Sequence, residues 1–371
     1  METLQHINVE IFSTGFEDKA FIERWIELEE NSLEYNMFLS PYFVLPSLKY
    51  LSPNITPHFI TATSSENRLI ALAILQESTH DRSYPFRHFE GYSSEHTFLQ
   101  GMLIDKTSAR DAIYALIDFL KHEYSNTPIK FNNIPGDGDQ FNYLKECLDK
   151  LEGSWIQYDE QHRAILSLKE RRYNYFIENF NSKHRNDFRR RKRRLKEIGS
   201  VEWRIFDDPI DCQRCVDDFL KLEHTGWKKK LGTSLLSTEH NQKFFIKMAS
   251  GFLSSNKMIC TELLLNGKAI SATSNYISGN AIFAFKLGWD VAYKKYAPCA
   301  IDLYEFTKYL INNDTGYEYI DSGSEEGSYI EKIWKDQRTL ISGFITFGPM
   351  PSMFLQGINK TRYLLRRFIP S

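Results

Sequence analysis

The chain has 371 residues, of which 42% are hydrophobic and 25% are charged, and its formal net charge is -2. This composition argues against disorder, and the length exceeds one ordinary core and favours two domains. Because the net charge is close to zero, no global field attracts DNA or a membrane, and any such partner needs a local patch. The longest clean apolar stretch, residues 69–75, is too short for a membrane span. Scattered cysteines and an N-terminus without a basic, apolar leader predict a cytoplasmic protein.

One pattern occurs twice along the chain. A turn and strand at residues 66–74 match residues 266–274, where Asn266-Gly267 is a strong hairpin signal. Two further pairs of similar segments keep the same order, namely 25–29 with 219–223 and 115–120 with 305–310. Since each copy reads as helix, strand hairpin, helix and strand, the sequence predicts two similar α/β domains, each a mixed sheet with packed helices.

The domain boundary is predicted near Lys169, which gives domains 1–168 and 169–371. The second domain is expected to begin with a basic connecting helix at 182–198 and to end in a tail at 350–371. We expect the first domain to be a scaffold with a degenerate site and the second to carry the working site.

The second copy has polar residues where the first has Phe131. Its last strand ends in Asp321-Ser322-Gly323-Ser324, and loops at the ends of scaffold strands commonly carry function. Upstream, a strand ending at Trp289 leads through Lys294-Lys295 to a helix that begins at Pro298. Amide groups in the first turn of that helix, with the two lysines, are candidates for holding a phosphate. The alternative is a capped helix with solvated lysines.

These segments resemble a known family. The order of residues 286–290, 293–300, 321–323 and 332–334 resembles the FemAB/BcsL (CelD) group of the GNAT superfamily, and residues 25–42 resemble that group's N-terminal signature. The resemblance covers nearly the whole chain. It implies an α/β fold (α+β mixed sheet) of two tandem GNAT-like domains, and transfer of an acyl or aminoacyl group to an amine. Acyl-CoA or an acyl carrier protein is then the co-substrate, without a permanently bound cofactor.

The sequence departs from that superfamily at two places. The turn at residues 296–300 lacks the glycines that allow close approach of a backbone to a pyrophosphate. The family's Tyr-Lys pair near the end of the domain is interrupted, because two residues separate Tyr329 from Lys332. The register of that lysine is therefore open.

Acyl transfer requires a neutral amine, a stabilised oxyanion and a proton for the leaving group. Asp321 is the first candidate base, Lys332 a candidate for stabilising negative charge, and His224 a further base. Cofactor-binding candidates lie around the helix start: Lys286, Lys294, Lys295, Tyr296, Ala297, Cys299 and Ala300. Substrate-binding candidates are mostly aromatic: Trp227, Trp289, Ser324, Tyr329 and Trp334. For each of them a helix cap, core packing or a solvated side chain is the alternative.

The segment from Lys183 to Lys196 holds nine Lys and Arg residues against one acid, Asp187. On a helix, Phe188 and Leu195 would form a narrow buried stripe below a cationic surface. Candidate partners are an acyl carrier protein, tRNA or the phosphates of a nucleotide-linked substrate, and the alternative is a solvated connector.

Two weaker signals complete the sequence. The tail mixes apolar and basic residues, so that peripheral membrane contact and docking on its own domain are both open. Cys212-x-x-Cys215 lacks a second cysteine pair, so no metal site is predicted.

Three functions remain open from the sequence. The first is an N-acyltransferase acting on a small amine, such as an amino sugar in polysaccharide biosynthesis. The second is a tRNA-dependent aminoacyl transferase, and the third is a non-catalytic scaffold of the same fold.

Overall fold

The computed structural model of the protein describes residues 7–78, 81, 83–169, 174–348, 352, 353 and 355–358. The chain divides into two compact units. The first comprises Met1–Pro41, Asn54–His162 and Arg338–Ser371, and the second comprises Tyr42–Pro53 and Arg163–Gln337. Most of the predicted tail lies outside the described residues. No helix in the described ranges is long and apolar enough to cross a membrane.

The first half of the chain contains seven strands and four helices in its described part. In chain order these are β1 (Asn8–Phe12), α1 (Lys19–Glu30), α2 (Pro41–Tyr50), β2 (His58–Thr63), β3 (Leu69–Ser78), β4 (His88–Gly91), β5 (Leu103–Ile104), α3 (Ala109–Glu123), β6 (Ile129–Pro135), α4 (Asp139–Lys150) and β7 (Gly153–Ser167). Helix α1 begins where Asp18 caps the amide of Phe21 at 3.0 Å, and it buries the stripe Phe21, Trp25 and Leu28.

The second half repeats this order after two connecting helices. Its elements are α5 (Tyr175–Asn179), α6 (Ser182–Lys196), β8 (Val201–Phe206), α7 (Pro209–Glu223), α8 (Gly226–Leu231), α9 (Glu239–Ser254), β9 (Met258–Leu265), β10 (Lys268–Ser278), β11 (Ala281–Trp289), α10 (Pro298–Asn312), β12 (Tyr319–Asp321) and β13 (Asp336–Phe347). The hairpin between β9 and β10 turns at Asn266 and Gly267, both with positive φ (52° and 79°), as its Asn-Gly pair predicts.

In the first unit the strand order is β1-β2-β3-β4-β6-β13, and β5 pairs with β3. The pairs are antiparallel except β4 with β6, which is parallel. Strand β3 is buried along almost its whole length, and α3 and α4 contribute to the same hydrophobic core. Strand β13, from a late part of the chain, pairs with β6 and is followed in the strand order by β7.

In the second unit the end of β7 is followed by β12-β11-β10-β9-β8. Only β11 and β12 pair in parallel. Helix α10 packs on one face through Leu303, Phe306 and Leu310. Helices α7 and α9 cover the other face, where Phe245 lies between Phe219 and Phe285.

The two units confirm the predicted duplication and the predicted fold class. The paired segments occupy equivalent elements: 25–29 and 219–223 lie in α1 and α7, 69–74 and 269–274 in β3 and β10, and 115–120 and 305–310 in α3 and α10. The single parallel pair of each sheet also occurs at the same step. Each unit is thus built to the same plan.

The compact units are not the continuous ranges 1–168 and 169–371. Strand β7 crosses the division between His162 and Arg163, and Arg338–Ser371 groups with the first unit. The functional assignment of the two ranges remains a prediction. The basic segment is helical, as α6, and begins where the Asn181 side chain accepts the amide of His184 at 2.9 Å.

Candidate active site

In the second unit β11 continues beyond the point where its parallel neighbour β12 ends, and we call the space beside this part of β11 the cleft. The two strands pair only at Ala281 with Tyr319, Ile282 with Ile320 and Phe283 with Asp321. Strand β12 ends there, whereas β11 continues to Trp289. Ligands of sheets with parallel strands bind beyond the carboxyl ends of those strands, so this opening is the first place to look for a site.

A β-bulge lies where the cleft begins. Opposite β10, Lys286 pairs with Ser274 and Ala284 pairs with Asn275, so Phe285 is the extra residue of β11. A bulge unpairs one residue and bends its strand, and bulges are frequent beside active sites. Here the bend occurs two residues after the last pairing with β12.

Helix α10 begins beside the end of β11. Ala297 precedes it in the left-handed conformation (φ 51°, ψ 62°), and Pro298 occupies the first turn. Lys294 and Lys295 are exposed in the preceding 3-10 helix, and Tyr296 is buried. The two lysines therefore precede the positive end of a helix, and the phosphate contact stays a prediction.

Asp321 is buried at the end of β12. Its Oδ1 accepts the amide of Gly323 at 2.8 Å and lies 3.7 Å from Nη1 of Arg163, which is also buried. The Arg163 Nε donates to the carbonyl of Ser324 at 3.1 Å. This arginine, which nothing in its sequence context singled out, fixes the loop after β12 and compensates the Asp321 charge.

The corresponding opening in the first unit is closed. Phe131 is buried and its ring fills the space beside Gly91, where a Cβ would come within 2.8 Å of the ring. The Gln100 side chain donates to the carbonyl of Gly91 at 2.9 Å and accepts the amide of Asn132 at 2.6 Å. It thus bridges the end of β4 and the middle of β6. No such bridge is recorded between their counterparts β11 and β12 in the described residues.

The connection from α7 to α8 reaches the open end of β11. The Glu223 carboxylate is fully buried; it accepts the amide of Leu235 at 2.9 Å and lies 3.2 Å from the Lys228 ammonium. Lys228 also donates to the carbonyl of Leu287 at 3.2 Å. These groups line a cavity of about 130 Å³ that also includes Trp289. In the sequence, this connection is marked only by the segment 223–227, where His224 is the residue that suggests chemistry.

A network of buried polar groups lies under the first turns of α10. Asp302 is fully buried and accepts Thr261 Oγ1 at 2.7 Å, Trp203 Nε1 at 2.9 Å and Ser271 Oγ at 2.9 Å. Burial raises the pKa of Asp302, although these three hydrogen bonds oppose the rise. Burial also raises the pKa of Cys299, so its thiol is not an activated nucleophile.

Helix α6 packs beside α10. Leu195 is fully buried, and the Phe188 ring stacks on Tyr304 with centroids 4.7 Å apart. Lys192 pairs with Glu305 of α10 at 2.5 Å. The predicted apolar stripe of the basic segment therefore faces α10.

The other predicted residues are dispersed. His224 ends α7 and its Nδ1 lies 2.6 Å from Ser234 Oγ. Trp334 is buried in the core and donates to Thr307 Oγ1 at 2.8 Å. Lys332 is exposed, with Nζ 5.9 Å from the centre of the Tyr329 ring.

Tyr329 and Lys286 are less buried than Trp334. Tyr329 is 44% exposed; partial desolvation raises its pKa, with Cys299 adding to the rise and Arg191 opposing it. Lys286 is half-buried on β11. Trp289 is half-buried, Ala300 is buried, and the side chain of Trp227 lies outside the described part of the structure. The catalytic and binding roles assigned to these residues remain predictions.

Two further features lie outside this site. Among the described residues, no three His, Cys, Asp or Glu side chains are grouped to hold a metal ion. A cavity of about 480 Å³ lies between the end of α10, the loop 313–318 and residues 167–169. It is at the opposite end of α10 from the cleft, so it is not part of the same site.

The chain resembles known proteins in part of its sequence. Residues 182–331 match the family of the acetyltransferase (GNAT) domain. No curated protein matches the chain by sequence.

Solved structures share the fold at low sequence identity. FemX has a TM-score of 0.58 and 11% identity, covering 94% of this chain and 100% of FemX. A conserved protein of unknown function from Bacteroides thetaiotaomicron has a TM-score of 0.51 and 12% identity, with coverages of 91% and 99%. L-PGS from Bacillus licheniformis has a TM-score of 0.50 and 11% identity, with coverages of 92% and 96%. The chain therefore has the fold of FemX, and its residues 182–331, which include β11, β12 and the start of α10, match the acetyltransferase (GNAT) domain family.

Proposed function

We propose that the protein transfers an acyl group from an activated donor to an amine in the cleft between β11 and β12. The observation that carries this proposal is the contrast between the two units. The cleft is open in the second unit and is followed by the start of α10, whereas Phe131 and Gln100 close its counterpart. A scaffold without turnover would need neither the opening nor the difference.

The proposed reaction has three parts. The amine nitrogen attacks the acyl carbonyl carbon, the bond to the leaving group breaks, and the proton of the amine passes through a base to that group. We expect a backbone amide near the bulge at Phe285 to stabilise the oxyanion. Asp321 and His224 are the proposed bases, and Lys332 the proposed stabiliser of negative charge.

The donor is proposed to be a thioester, acyl-CoA or acyl carrier protein, whose phosphates contact Lys294, Lys295 and the first turn of α10. The exposed lysines have to contribute, because Ala297 occupies the position where a glycine would let the backbone approach closely. The acceptor is proposed to be a small amine such as an amino sugar of polysaccharide biosynthesis, and the compartment to be the cytoplasm.

A second candidate is aminoacyl transfer from tRNA. The exposed arginines of α6 favour it, because a polyanion of tRNA size can contact many of them together. FemX and L-PGS share the fold of this chain, and this fold is compatible with either donor.

The test is native mass spectrometry of the purified protein with a panel of acyl-CoAs, acyl carrier proteins and aminoacyl-tRNAs, followed by steady-state assays with amines. For the donor that binds, Lys294→Gln/Lys295→Gln should raise KM several-fold. The matched control, Lys145→Gln/Lys150→Gln on α4 of the first unit, should leave KM unchanged. If no donor of the panel acylates any amine, or if the control pair acts like the test pair, the proposal is wrong.

A further inference from the structure

The edge of β11 that faces the cleft has a defined set of peptide groups. Strand β11 is antiparallel to β10, with Gly288 opposite Ala272, and Asp290 donates its amide to Ile270 at 3.0 Å. Hydrogen-bonded and non-bonded pairs alternate in such a ladder. The peptide groups of Leu287 and Trp289 therefore point away from β10, towards the side that β12 leaves open.

Side chains of the α7–α8 connection occupy the carbonyls on this edge. The Lys228 ammonium donates to the Leu287 carbonyl at 3.2 Å, and the Thr225 hydroxyl lies 2.9 Å from the Trp289 carbonyl. The same hydroxyl lies 2.6 Å from the carbonyl of Leu222, so its single hydrogen is shared between two acceptors. We call Lys228 and Thr225 the caps of this edge, and the hydrogen bond from Lys228 is the stronger of the two.

The connection is held in place by its own packing. The Glu223 carboxylate forms an ion pair with the Lys228 ammonium. Gly288 allows the end of α7 to contact β11, because a Cβ at Gly288 would lie 2.5 Å from the Glu223 amide nitrogen. At Gly226, with φ +63°, a Cβ would meet Val291 at 2.7 Å. Two glycines and the ion pair between the buried Glu223 and the half-buried Lys228 thus allow close packing of this segment against the end of β11.

The capped carbonyls are groups with which an extended chain of amides can form hydrogen bonds. Pantetheine is an extended chain with two amides, and extended amide chains bind open strand edges by main-chain hydrogen bonds. We propose that Lys228 and Thr225 are specificity-determining residues that withhold the edge of β11 from the pantetheine arm of a thioester donor. This inference rests on the proposed acyl transfer in the cleft. A donor with a pantetheine arm has to displace both caps, whereas a donor that does not lie along β11 is unaffected.

The experiment measures binding of coenzyme A by isothermal titration calorimetry. The variants are Thr225→Val, which keeps the side-chain shape, and Glu223→Gln/Lys228→Met, which removes the ammonium without leaving a buried unpaired carboxylate. Lys229→Met, at the exposed neighbouring position of α8, is the matched control. The second probe is 3′-phosphoadenosine 5′-diphosphate, the nucleotide part of coenzyme A without its pantetheine.

We expect coenzyme A to bind the double variant about tenfold more tightly than the wild type, since a hydrogen bond to a charged donor no longer has to be exchanged. Thr225→Val should show a smaller gain, Lys229→Met none, and the nucleotide probe should not distinguish the variants. Should the double variant not fold, the gain of Thr225→Val over the wild type decides. Coenzyme A affinity that is unchanged, weaker or undetectable in the folded cap variants overturns the inference. A variant that gains coenzyme A affinity but acylates no amine upholds the inference and contradicts the proposed function.

Discussion

Nη1 of Arg163 lies 3.7 Å from Oδ1 of Asp321, and both side chains are buried. A buried ion pair responds strongly to loss of one partner, because the other charge stays behind without compensation. Asp321→Asn keeps the volume but leaves the Arg163 charge buried. We expect it to lower the free energy of unfolding by about 3 kcal/mol, measured by urea denaturation.

The double variant Arg163→Met/Asp321→Asn separates this structural effect from a catalytic one. It should recover much of the lost stability, since neither charge remains. If Asp321 is the base, the double variant stays inactive although it is stable. An Asp321→Asn protein as stable as the wild type would contradict the structural role of the pair.

Asp302 gives a pH dependence of stability with a definite sign. Burial raises its pKa above the value in the unfolded chain, so the folded state binds the proton more tightly. Its contribution to stability is full below the unfolded pKa, near 3.8, and is lost as the pH rises through the raised folded pKa. Asp302→Asn cannot ionise, and its amide can still accept from Thr261 and Trp203.

The stability of Asp302→Asn relative to the wild type should therefore improve as the pH rises from 4 towards neutrality. Denaturant midpoints at several pH values measure this difference. Asp217→Asn, an exposed carboxylate of α7, is the control and should show no such trend. A constant difference between Asp302→Asn and the wild type would mean that burial does not shift this carboxyl.

Ala297 precedes α10 with φ 51° and ψ 62°, a conformation that costs an L-residue about 1 kcal/mol and glycine almost nothing. Ala297→Gly should therefore stabilise the protein by up to about 1 kcal/mol, reduced by the larger entropy of glycine in the unfolded chain. Thermal unfolding checks this. The comparison is Ala292→Gly in the preceding 3-10 helix, which should not stabilise, because Ala292 does not have a positive φ. A destabilised Ala297→Gly would show that the turn relaxes in solution.

Features that depend on the local sequence pattern were predicted correctly, whereas contacts that depend on long-range packing were not. The Asn-Gly hairpin, the helix start at Pro298 and the apolar stripe of α6 all follow from spacing within a few residues, and the structure has them. Arg163 and Lys228 could not be found in this way. Arg163 meets Asp321 only because β7 enters the second unit beside β12, and Lys228 reaches Leu287 across the sheet edge. Strand β7 runs from the first unit into the second, and most of β13 groups with the first unit. Neither feature leaves a local signal in the sequence.

One face of helix α6 packs on α10, and the other face is exposed to solvent. Leu195 and Phe188 anchor it, and Lys192 pairs with Glu305, whereas Arg189 and Arg194 are exposed. The variant Arg189→Gln/Arg190→Gln/Arg193→Gln/Arg194→Gln alters only exposed positions, so it should fold like the wild type. Circular dichroism and the denaturant midpoint check that expectation.

For a polyanionic partner, this variant should bind more weakly and with a shallower salt dependence. Each phosphate that the variant no longer neutralises lowers the magnitude of the slope of log K against log salt by about 0.7 to 0.9, because fewer counterions are released. The slope is measured by fluorescence anisotropy with labelled tRNA and with labelled acyl carrier protein, at salt concentrations from about 50 to 200 mM. Lys145→Gln/Lys150→Gln on α4 should leave both slopes unchanged. Free coenzyme A, with few phosphates, should show little change between wild type and variant. If affinity and slope of the quadruple variant equal those of the wild type for both partners, α6 is a solvated connector whose role ends with the packing of Phe188 and Leu195 against α10.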